Sequence, residues 1–198
     1  MSTEIAKKYW LSQSKYPFLY TKRRRLHELN YLVPRLEQLG GTSVLDLGCG
    51  DGSLLECLLR LTEFTEFYGW DLTPALLKGI DPRIHTATYD IEHPSNLPVV
   101  DVTIVAGVIQ YLFDDDLVID LFERITSPVV WVRSTCSLKP NAEKVTSNGY
   151  ASYYRTIAQT RELLSQHYEV SAVDRIYPDA IESAFGTKQY YFELHRRS

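Results

Sequence analysis

The sequence lacks the features that mark several special classes of protein. No apolar run approaches the roughly 18 residues of a membrane-spanning helix, since the longest candidate, from Val99 to Ile109, contains Asp101. The first residues are charged and do not form the apolar segment of a secretion signal. No internal repeat or low-complexity tract occurs. We therefore expect a cytoplasmic protein whose 198 residues, 44% of them hydrophobic, form one domain with a full core.

Histidine and cysteine are few, and their spacing does not indicate a metal site. The five histidines do not fall at ligand spacing with one another or with the three cysteines. Cys49, Cys57 and Cys136 lie in or beside apolar runs, which is typical of reduced, buried thiols. A GxSxG motif and a phosphate-binding P-loop are also missing. The sequence therefore predicts no metal cofactor and no catalytic cysteine.

Negative charge is scarce in the first part of the chain. Up to Arg35 there are eight Lys or Arg residues against two acids, a net charge of +6. Because the whole chain has a net charge of -4, the remainder carries -10. A charge asymmetry of this kind can indicate an anionic partner.

Short apolar and β-branched runs alternate with segments of helical period, which is typical of βαβ units and a largely parallel sheet. One helix is predicted from Leu54 to Leu61, a second after Asp114, and a third from about Ser152 to His167. The last two strands are separated by about a dozen residues containing Pro178 and Gly186. An antiparallel closing hairpin is therefore favoured over a helical crossover. The predicted strands are Ser43–Leu47, Glu66–Trp70, Ile84–Thr88, Asp101–Ala106, Val129–Ser134, Tyr168–Arg175 and Gln189–His195.

The sharpest local signal is a strand that ends in closely spaced glycines and runs directly into a helix. It reads Val44-Leu45-Asp46-Leu47-Gly48-Cys49-Gly50-Asp51-Gly52-Ser53. Glycines at such a turn let a ligand lie against the backbone. The spacing is GxGxG, whereas the dinucleotide fingerprint is GxGxxG, and this disfavours a nicotinamide dehydrogenase.

Two acids follow the next two predicted strands. Asp71 ends the second strand, about 20 residues after the glycine turn, where a carboxylate can accept hydrogen bonds from ribose hydroxyls. The alternative for Asp71 is a helix N-cap, although Thr73 and Pro74 offer their own cap and first-turn proline. Asp90 follows the third strand and can accept a hydrogen bond from an adenine amino group. The alternative for Asp90 is an exposed loop acid.

The glycine turn and the two acids together resemble the class I S-adenosylmethionine-dependent methyltransferases, from about Ser43 to the C-terminus. The resemblance implies an α/β, single-domain, Rossmann-like fold with a seven-stranded, mostly parallel sheet, an antiparallel last strand and helices on both faces. It implies S-adenosyl-L-methionine as the cofactor, with the glycine turn on its methionine part, Asp71 on its ribose and Asp90 on its adenine. The cofactor-binding residues so implied are Asp46, Gly48, Cys49, Gly50, Gly52, Asp71, Leu72, Asp90, Ile91 and Ala106.

The segment after the fourth strand implies the catalytic positions. It contains Gln110 and Tyr111, and tyrosine stands where the family often has histidine, so a histidine base is not expected. A neutral tyrosine with a pKa near 10 orients an acceptor rather than deprotonating it. The alternative is that Tyr111 only packs over the cofactor.

The N-terminal segment, residues 1–40, is predicted to be a helical lid ahead of a methyltransferase domain at residues 41–198. Its aromatic and basic side chains can cover the cofactor and pair with an anionic group, so Tyr20 and Arg25 are cofactor candidates. Tyr16 and Arg24 are acceptor candidates. A solvated basic helix face is the alternative.

Further acceptor candidates lie at the start of the predicted late helix, after a loop expected from Ser137 to Gly149. They are Tyr150, Tyr153, Tyr154 and Arg155. Tyrosines beside an arginine suit a polar, anionic or sugar-like acceptor, and the alternative is a helix that packs its aromatic face on the sheet.

The leading hypothesis is methyl transfer to an O or N atom of a small-molecule or saccharide-linked acceptor, by a monomer or homodimer. A non-catalytic S-adenosylmethionine-binding module is one alternative. A nucleic-acid methyltransferase is another, disfavoured because the -10 remainder of the chain would repel a long polyanion.

Overall fold

The computed structural model describes residues 2–16, 22–147, 149–182 and 186–197. Its α-helices are α1 (Ser2–Leu11), α2 (Lys22–Leu39), α3 (Ser53–Leu61), α4 (Asp115–Arg124) and α5 (Ile157–Leu164). Its strands are β1 (Ser43–Leu47), β2 (Glu66–Asp71), β3 (Ile84–Thr88), β4 (Val102–Ala106), β5 (Val129–Ser137), β6 (Glu143–Ser147), β7 (Tyr150–Tyr154), β8 (Tyr168–Asp174) and β9 (Thr187–Arg196). No helix in these ranges is both long and apolar enough to cross a membrane.

Seven strands form one sheet in the order β3-β2-β1-β4-β5-β9-β8. The first five run parallel, and β9 pairs antiparallel with both β5 and β8. The predicted seven-stranded sheet and its antiparallel closing pair are therefore confirmed. Strand order reverses between β1 and β4, and in open α/β sheets ligands bind in the crevice at such a point.

The core has two layers, one on each face of the sheet. On one face, Val118, Leu121 and Phe122 of α4 pack with Leu45 and other strand residues. On the other face α2 and α3 pack on the sheet. The buried residues of that second layer include Leu32, Leu36, Leu54, Leu55, Leu58, Val44, Ile104 and Trp131. Helices thus cover both faces, as predicted, and α2 from the N-terminal segment is part of this packing.

A two-stranded antiparallel hairpin, β6 with β7, corrects two sequence predictions. The exposed loop expected from Ser137 to Gly149 contains β6, and the helix expected from Ser152 begins only after Thr156. Thr156 Oγ1 accepts a hydrogen bond from the backbone N–H of Gln159, and Gln159 Oε1 accepts one from the backbone N–H of Thr156. This capping box fixes the helix start, and it leaves Tyr150–Tyr154 extended.

A helix start at Thr73 and Pro74 is also absent from the structure. The residues after β2 form a series of turns, and Asp71 Oδ1 accepts a hydrogen bond from the Thr73 N–H at 2.8 Å. Asp71 therefore closes a local turn instead of capping a helix.

Candidate active site

Three adjoining clefts lie at the carboxyl ends of the parallel strands, and Tyr16 lines all three. The first, which we call the roofed cleft, lies under α1 and includes Asp71 and Asp90. The second, the carboxylate cleft, includes Asp46. The third, the tyrosine cleft, includes Tyr111 and Tyr150. The roofed cleft has a cavity volume of about 110 Å³.

The glycine turn forms the floor between the roofed and carboxylate clefts. Gly48 has a φ of 83°, and a Cβ atom there would stand 2.2 Å from Val108 Cγ2. A Cβ on Gly50 would stand 3.0 Å from the ring of Tyr16. Gly52 lines none of the three clefts; a Cβ there would meet Ile80 at 2.8 Å. The turn therefore needs Gly48 and Gly50 for close approach at the clefts and Gly52 for packing.

Asp71 joins the end of β2 to the glycine turn. Its Oδ2 accepts a hydrogen bond from the Gly50 N–H at 2.9 Å, while Oδ1 is bound by Thr73. Burial raises the pKa of this carboxyl group above its usual value, and the two backbone donors oppose that shift. Each carboxylate oxygen can accept a further hydrogen bond, so Asp71 can still bind a hydroxyl group in the cleft.

Asp90 lies in the same cleft as Asp71, at the end covered by α1. The other predicted cofactor residues in this cleft are Gly48, Gly50, Leu72, Ile91 and Ala106. Asp90 Oδ2 is 2.6 Å from Lys7 Nζ of α1, and Glu92 Oε2 is 2.8 Å from the same nitrogen. Lys7 was not among the residues predicted from sequence.

The carboxylate cleft holds the most buried acid of the glycine motif. Asp46 is 2% exposed, and its Oδ1 has no hydrogen-bond partner among the described residues. Burial raises the pKa of Asp46 to about 7. Arg25 lines the same cleft, donating to Glu28 Oε2 at 3.0 Å and to Ser53 Oγ at 2.7 Å. An unpartnered carboxylate oxygen beside a guanidinium suits a ligand that carries both an ammonium group and a carboxylate.

A buried ionic network supports this cleft, and sequence reasoning missed it. Glu28 of α2 is 1% exposed and contacts Arg25, the Nε of Arg133 at 3.2 Å and the hydroxyl of Tyr191 at 3.1 Å. Arg133 also donates to Gln189 Oε1 at 2.8 Å. The signal was present in the sequence, because Arg133 is a charged residue within the apolar strand Val129–Ser134.

The tyrosine cleft contains both residues predicted to be catalytic. The hydroxyls of Tyr111 and Tyr150 are 3.3 Å apart, and burial raises the pKa of Tyr111 well above 10. Gln110 is 8% exposed, and its Oε1 has no partner among the described residues. The acceptor candidates Tyr16, Arg24, Tyr150 and Tyr154 line this cleft as well.

Two predicted acceptor residues lie outside the three clefts. Arg155 is 3% exposed and donates to Asp115 Oδ1 at 2.6 and 2.8 Å and to the carbonyls of Ile109 and Leu112. It therefore fixes the turn that carries Tyr111. Tyr153 stacks on Phe113 with ring centroids 5.9 Å apart. Tyr20 falls outside the described residues.

The comparisons with known proteins agree with the geometry of the sheet. A methyltransferase of Leishmania major that depends on S-adenosylmethionine has a TM-score of 0.71 over 96% of this chain and 82% of its own, at 15% identity. The N-methyltransferase NodS of Bradyrhizobium japonicum, in complex with S-adenosyl-L-homocysteine, has a TM-score of 0.66 over the whole of both chains, at 15% identity. The chain has the class I methyltransferase fold. The resemblance noted in the sequence is confirmed at this level.

A curated sequence relative points in the same direction over part of its length. The ubiquinone biosynthesis O-methyltransferase of Xanthomonas euvesicatoria is 32% identical over 127 residues, which cover 61% of this chain and 50% of that protein. This chain therefore spans about half the length of that relative. No protein-family model matches the chain. In the described part of this methyltransferase-fold chain, no three or more His, Cys, Asp or Glu side chains are grouped to hold a metal ion.

Proposed function

We propose that this chain is an S-adenosylmethionine-dependent methyltransferase that acts on an O or N atom of a small-molecule or saccharide-linked acceptor. The observation that carries the proposal is Asp46 Oδ1, which is buried beside Arg25 without a hydrogen-bond partner among the described residues, in a cleft that adjoins the one lined by Asp90. A zwitterionic amino acid fits the first cleft, and a nucleoside fits the second.

The cofactor would be bound by residues from α2, β1, the end of β2 and the loop after β3. Arg25 would bind its carboxylate, Asp46 its ammonium group, Asp71 its ribose hydroxyls and Asp90 its adenine amino group. The glycine turn would allow close approach of its backbone. When bound, the cofactor supplies a methyl group already activated on a sulfonium sulfur.

The chain itself would position the acceptor and exclude water. Tyr111 stays protonated at neutral pH because burial raises its pKa, so its hydroxyl orients the acceptor and does not act as a general base. Gln110 Oε1, which none of the described residues binds, can accept a hydrogen bond from an O–H or N–H group of the acceptor, and this favours an oxygen or nitrogen nucleophile.

The charge of the tyrosine cleft supports an acceptor that carries an anionic group. Arg24, Arg133 and Lys188 line the cleft against one acid, Glu182. Arg133 is already paired with Glu28 at 3.2 Å and Lys188 with Asp179 at 2.9 Å, so we assign the anionic group of the acceptor to Arg24. Two of the three proteins named above are an O-methyltransferase and an N-methyltransferase, and both nucleophiles are compatible with this lining.

The direct test is methyl transfer from labelled S-adenosylmethionine to fractionated cell extract, followed by identification of the labelled product by mass. We expect one polar, anionic small molecule or saccharide-linked product, and no label with the Asp71→Ala variant. If the wild-type protein binds the cofactor but labels no fraction, the non-catalytic module is correct. Labelled nucleic acid would replace the proposed acceptor class.

A further inference from the structure

Helix α1 covers the roofed cleft and contacts the loops that follow three different strands. Thr3 Oγ1 accepts a hydrogen bond from the Phe113 N–H at 3.2 Å, after β4. The Trp10 carbonyl accepts one from Thr73 Oγ1 at 3.2 Å, after β2. Lys7 lies between these two contacts and reaches the loop after β3. The helix therefore spans the cleft and is attached at both of its ends.

Lys7 makes the charged contact in this roof. Its side chain is 19% exposed, and those of Asp90 and Glu92 are 25% and 28% exposed, so water screens the two ion pairs only in part. The hydrogen bonds to Asp90 and Glu92 raise the pKa of Lys7, which stays protonated throughout the neutral range. The other side of Asp90 is bound by the Glu92 N–H at 3.1 Å.

The adjacent lysine is a natural control. Lys8 pairs with Glu4 of its own helix at 3.5 Å, and its side chain is 75% exposed. A substitution at Lys8 removes the same charge from the same helix and leaves the contacts across the cleft intact.

We propose that Lys7 is a positioning residue that couples the closure of α1 to cofactor binding. Its ammonium group holds α1 over the roofed cleft and at the same time fixes the carboxylate of Asp90. The cofactor then cannot enter or leave the cleft until both ion pairs of Lys7 have broken. This inference rests on the proposed function, because it takes the roofed cleft to be the nucleoside site.

The attachment of α1 can be measured without any ligand. In hydrogen–deuterium exchange, the α1 amides of the Lys7→Gln variant should exchange faster than those of the wild type. The Lys8→Gln variant should match the wild type, and Lys7→Arg, which keeps the charge, should restore slow exchange. Equal exchange in Lys7→Gln and Lys8→Gln would overturn the proposal, whether or not the chain binds a cofactor.

The rates of ligand association and dissociation can be measured by stopped-flow tryptophan fluorescence, with S-adenosylhomocysteine as the probe. Lys7→Gln should raise both the association and the dissociation rate constants by about three- to tenfold, the range expected for two partly exposed ion pairs. Added salt should accelerate the wild type and have less effect on the variant. Misfolding of the whole domain would lower the fraction of protein that binds and would not speed association. A slower or unchanged association rate would contradict the proposal.

Failure of this proposal differs visibly from failure of the proposed function. If the wild type binds no S-adenosylhomocysteine, the proposed function is wrong, and so is the coupling, even where exchange shows that Lys7 attaches α1. If the wild type binds and only the Lys7 effects are missing, the coupling alone is wrong. The Glu92→Gln variant should reproduce part of the effect of Lys7→Gln on the rate constants. The double variant Lys7→Gln/Glu92→Gln should differ little from Lys7→Gln alone.

Discussion

Burial of the Asp46 carboxylate lowers the stability of the folded protein and also provides a binding site for a ligand. An ionised carboxylate without a hydrogen-bond partner is unfavourable at a buried position. Asp46 is buried, and one of its oxygens has no partner in the described parts of the chain. Such a cost persists in a folded protein where a ligand compensates for it. The pH dependence of stability should therefore show the burial of Asp46 directly.

The Asp46→Asn variant should be more stable than the wild type at pH 8 in the absence of ligand. The native pKa of about 7 lies above the ordinary value of 3.8, so the native state binds the proton more tightly than the unfolded chain. Asp46 therefore lowers stability progressively as pH rises from about 4 to about 7, and the cost is complete above that window. The measurement is thermal unfolding of both proteins at pH 4.5 and pH 8.

The difference in unfolding temperature between Asp46→Asn and the wild type should be large at pH 8 and small at pH 4.5. The variant should also bind S-adenosylhomocysteine more weakly, because an amide cannot pair with an ammonium group as a carboxylate does. A difference in unfolding temperature of the same size at both pH values would show that Asp46 does not titrate between these pH values.

Arg24 and its neighbour Arg23 offer a matched test of acceptor charge. Arg24 lines the tyrosine cleft and donates to the Ile181 carbonyl at 2.8 Å, whereas Arg23 is exposed at the start of α2. We expect Arg24→Gln to raise the KM for the acceptor about tenfold, the effect of losing one charge-assisted hydrogen bond, and Arg23→Gln to leave it unchanged. Equal KM values for both variants would remove the argument for an anionic acceptor group.

At the scale of elements, the strand-to-helix turn between β1 and α3 carries the tightest geometric constraint. Gly48 and Gly79 both have positive φ, of 83° and 89°, but a Cβ on Gly79 meets nothing within 4 Å. Alanine at either position costs about 1–2 kcal/mol for the left-handed conformation. At Gly48 the overlap with Val108 should add about 1–3 kcal/mol.

Denaturant unfolding of Gly48→Ala and Gly79→Ala measures this difference. We expect the unfolding free energy of Gly48→Ala to be the lower of the two, together with loss of S-adenosylhomocysteine binding. Equal destabilisation would mean that Val108 moves aside and that the turn tolerates a side chain.

The strands of the main sheet could be predicted because most of them are short runs rich in apolar, β-branched or aromatic residues between turn residues. The hairpin could not, because β6 is largely exposed and its Lys144 and Thr146 give only a weak alternating pattern. The tyrosines of β7 at positions 150, 153 and 154 also fit one side of a helix, so the local pattern was ambiguous.

Long-range pairing was the part of the site that local patterns could not supply. Lys7 and Asp90 are 83 positions apart, and no spacing rule links them. Arg155 was predicted to bind the acceptor, but it lies outside the three clefts and donates to the carbonyls of Ile109 and Leu112 and to Asp115, the first residue of α4. The three motif acids, by contrast, lie at or near the carboxyl ends of the adjacent strands β1, β2 and β3, where topology alone brings them together.

Across the whole molecule, the basic N-terminal segment forms ion pairs with the acidic remainder of the chain. Basic residues of the N-terminal segment pair with acids that come later in the chain: Lys7 with Asp90 and Glu92, and Arg35 with Asp174 and Glu193. The +6 segment therefore contacts the -10 remainder directly. This pairing leaves less positive charge for a long polyanion than the sequence alone indicates.

The antiparallel closing strand completes the site from the other end of the chain. Because β9 pairs with β5, Thr135 lies opposite Gln189, and Gln189 reaches Arg133. Lys188 and Gln189 then line the tyrosine cleft opposite residues of the N-terminal segment. Both ends of the chain therefore contribute to one site.

Calorimetric titration with S-adenosylhomocysteine is the measurement that tests the central claim most directly. We predict one binding site per chain with a dissociation constant on the order of micromolar, and loss of the binding heat in Asp71→Ala. Arg23→Gln should bind as the wild type does. No heat with millimolar ligand, or undiminished binding by Asp71→Ala, would contradict the account.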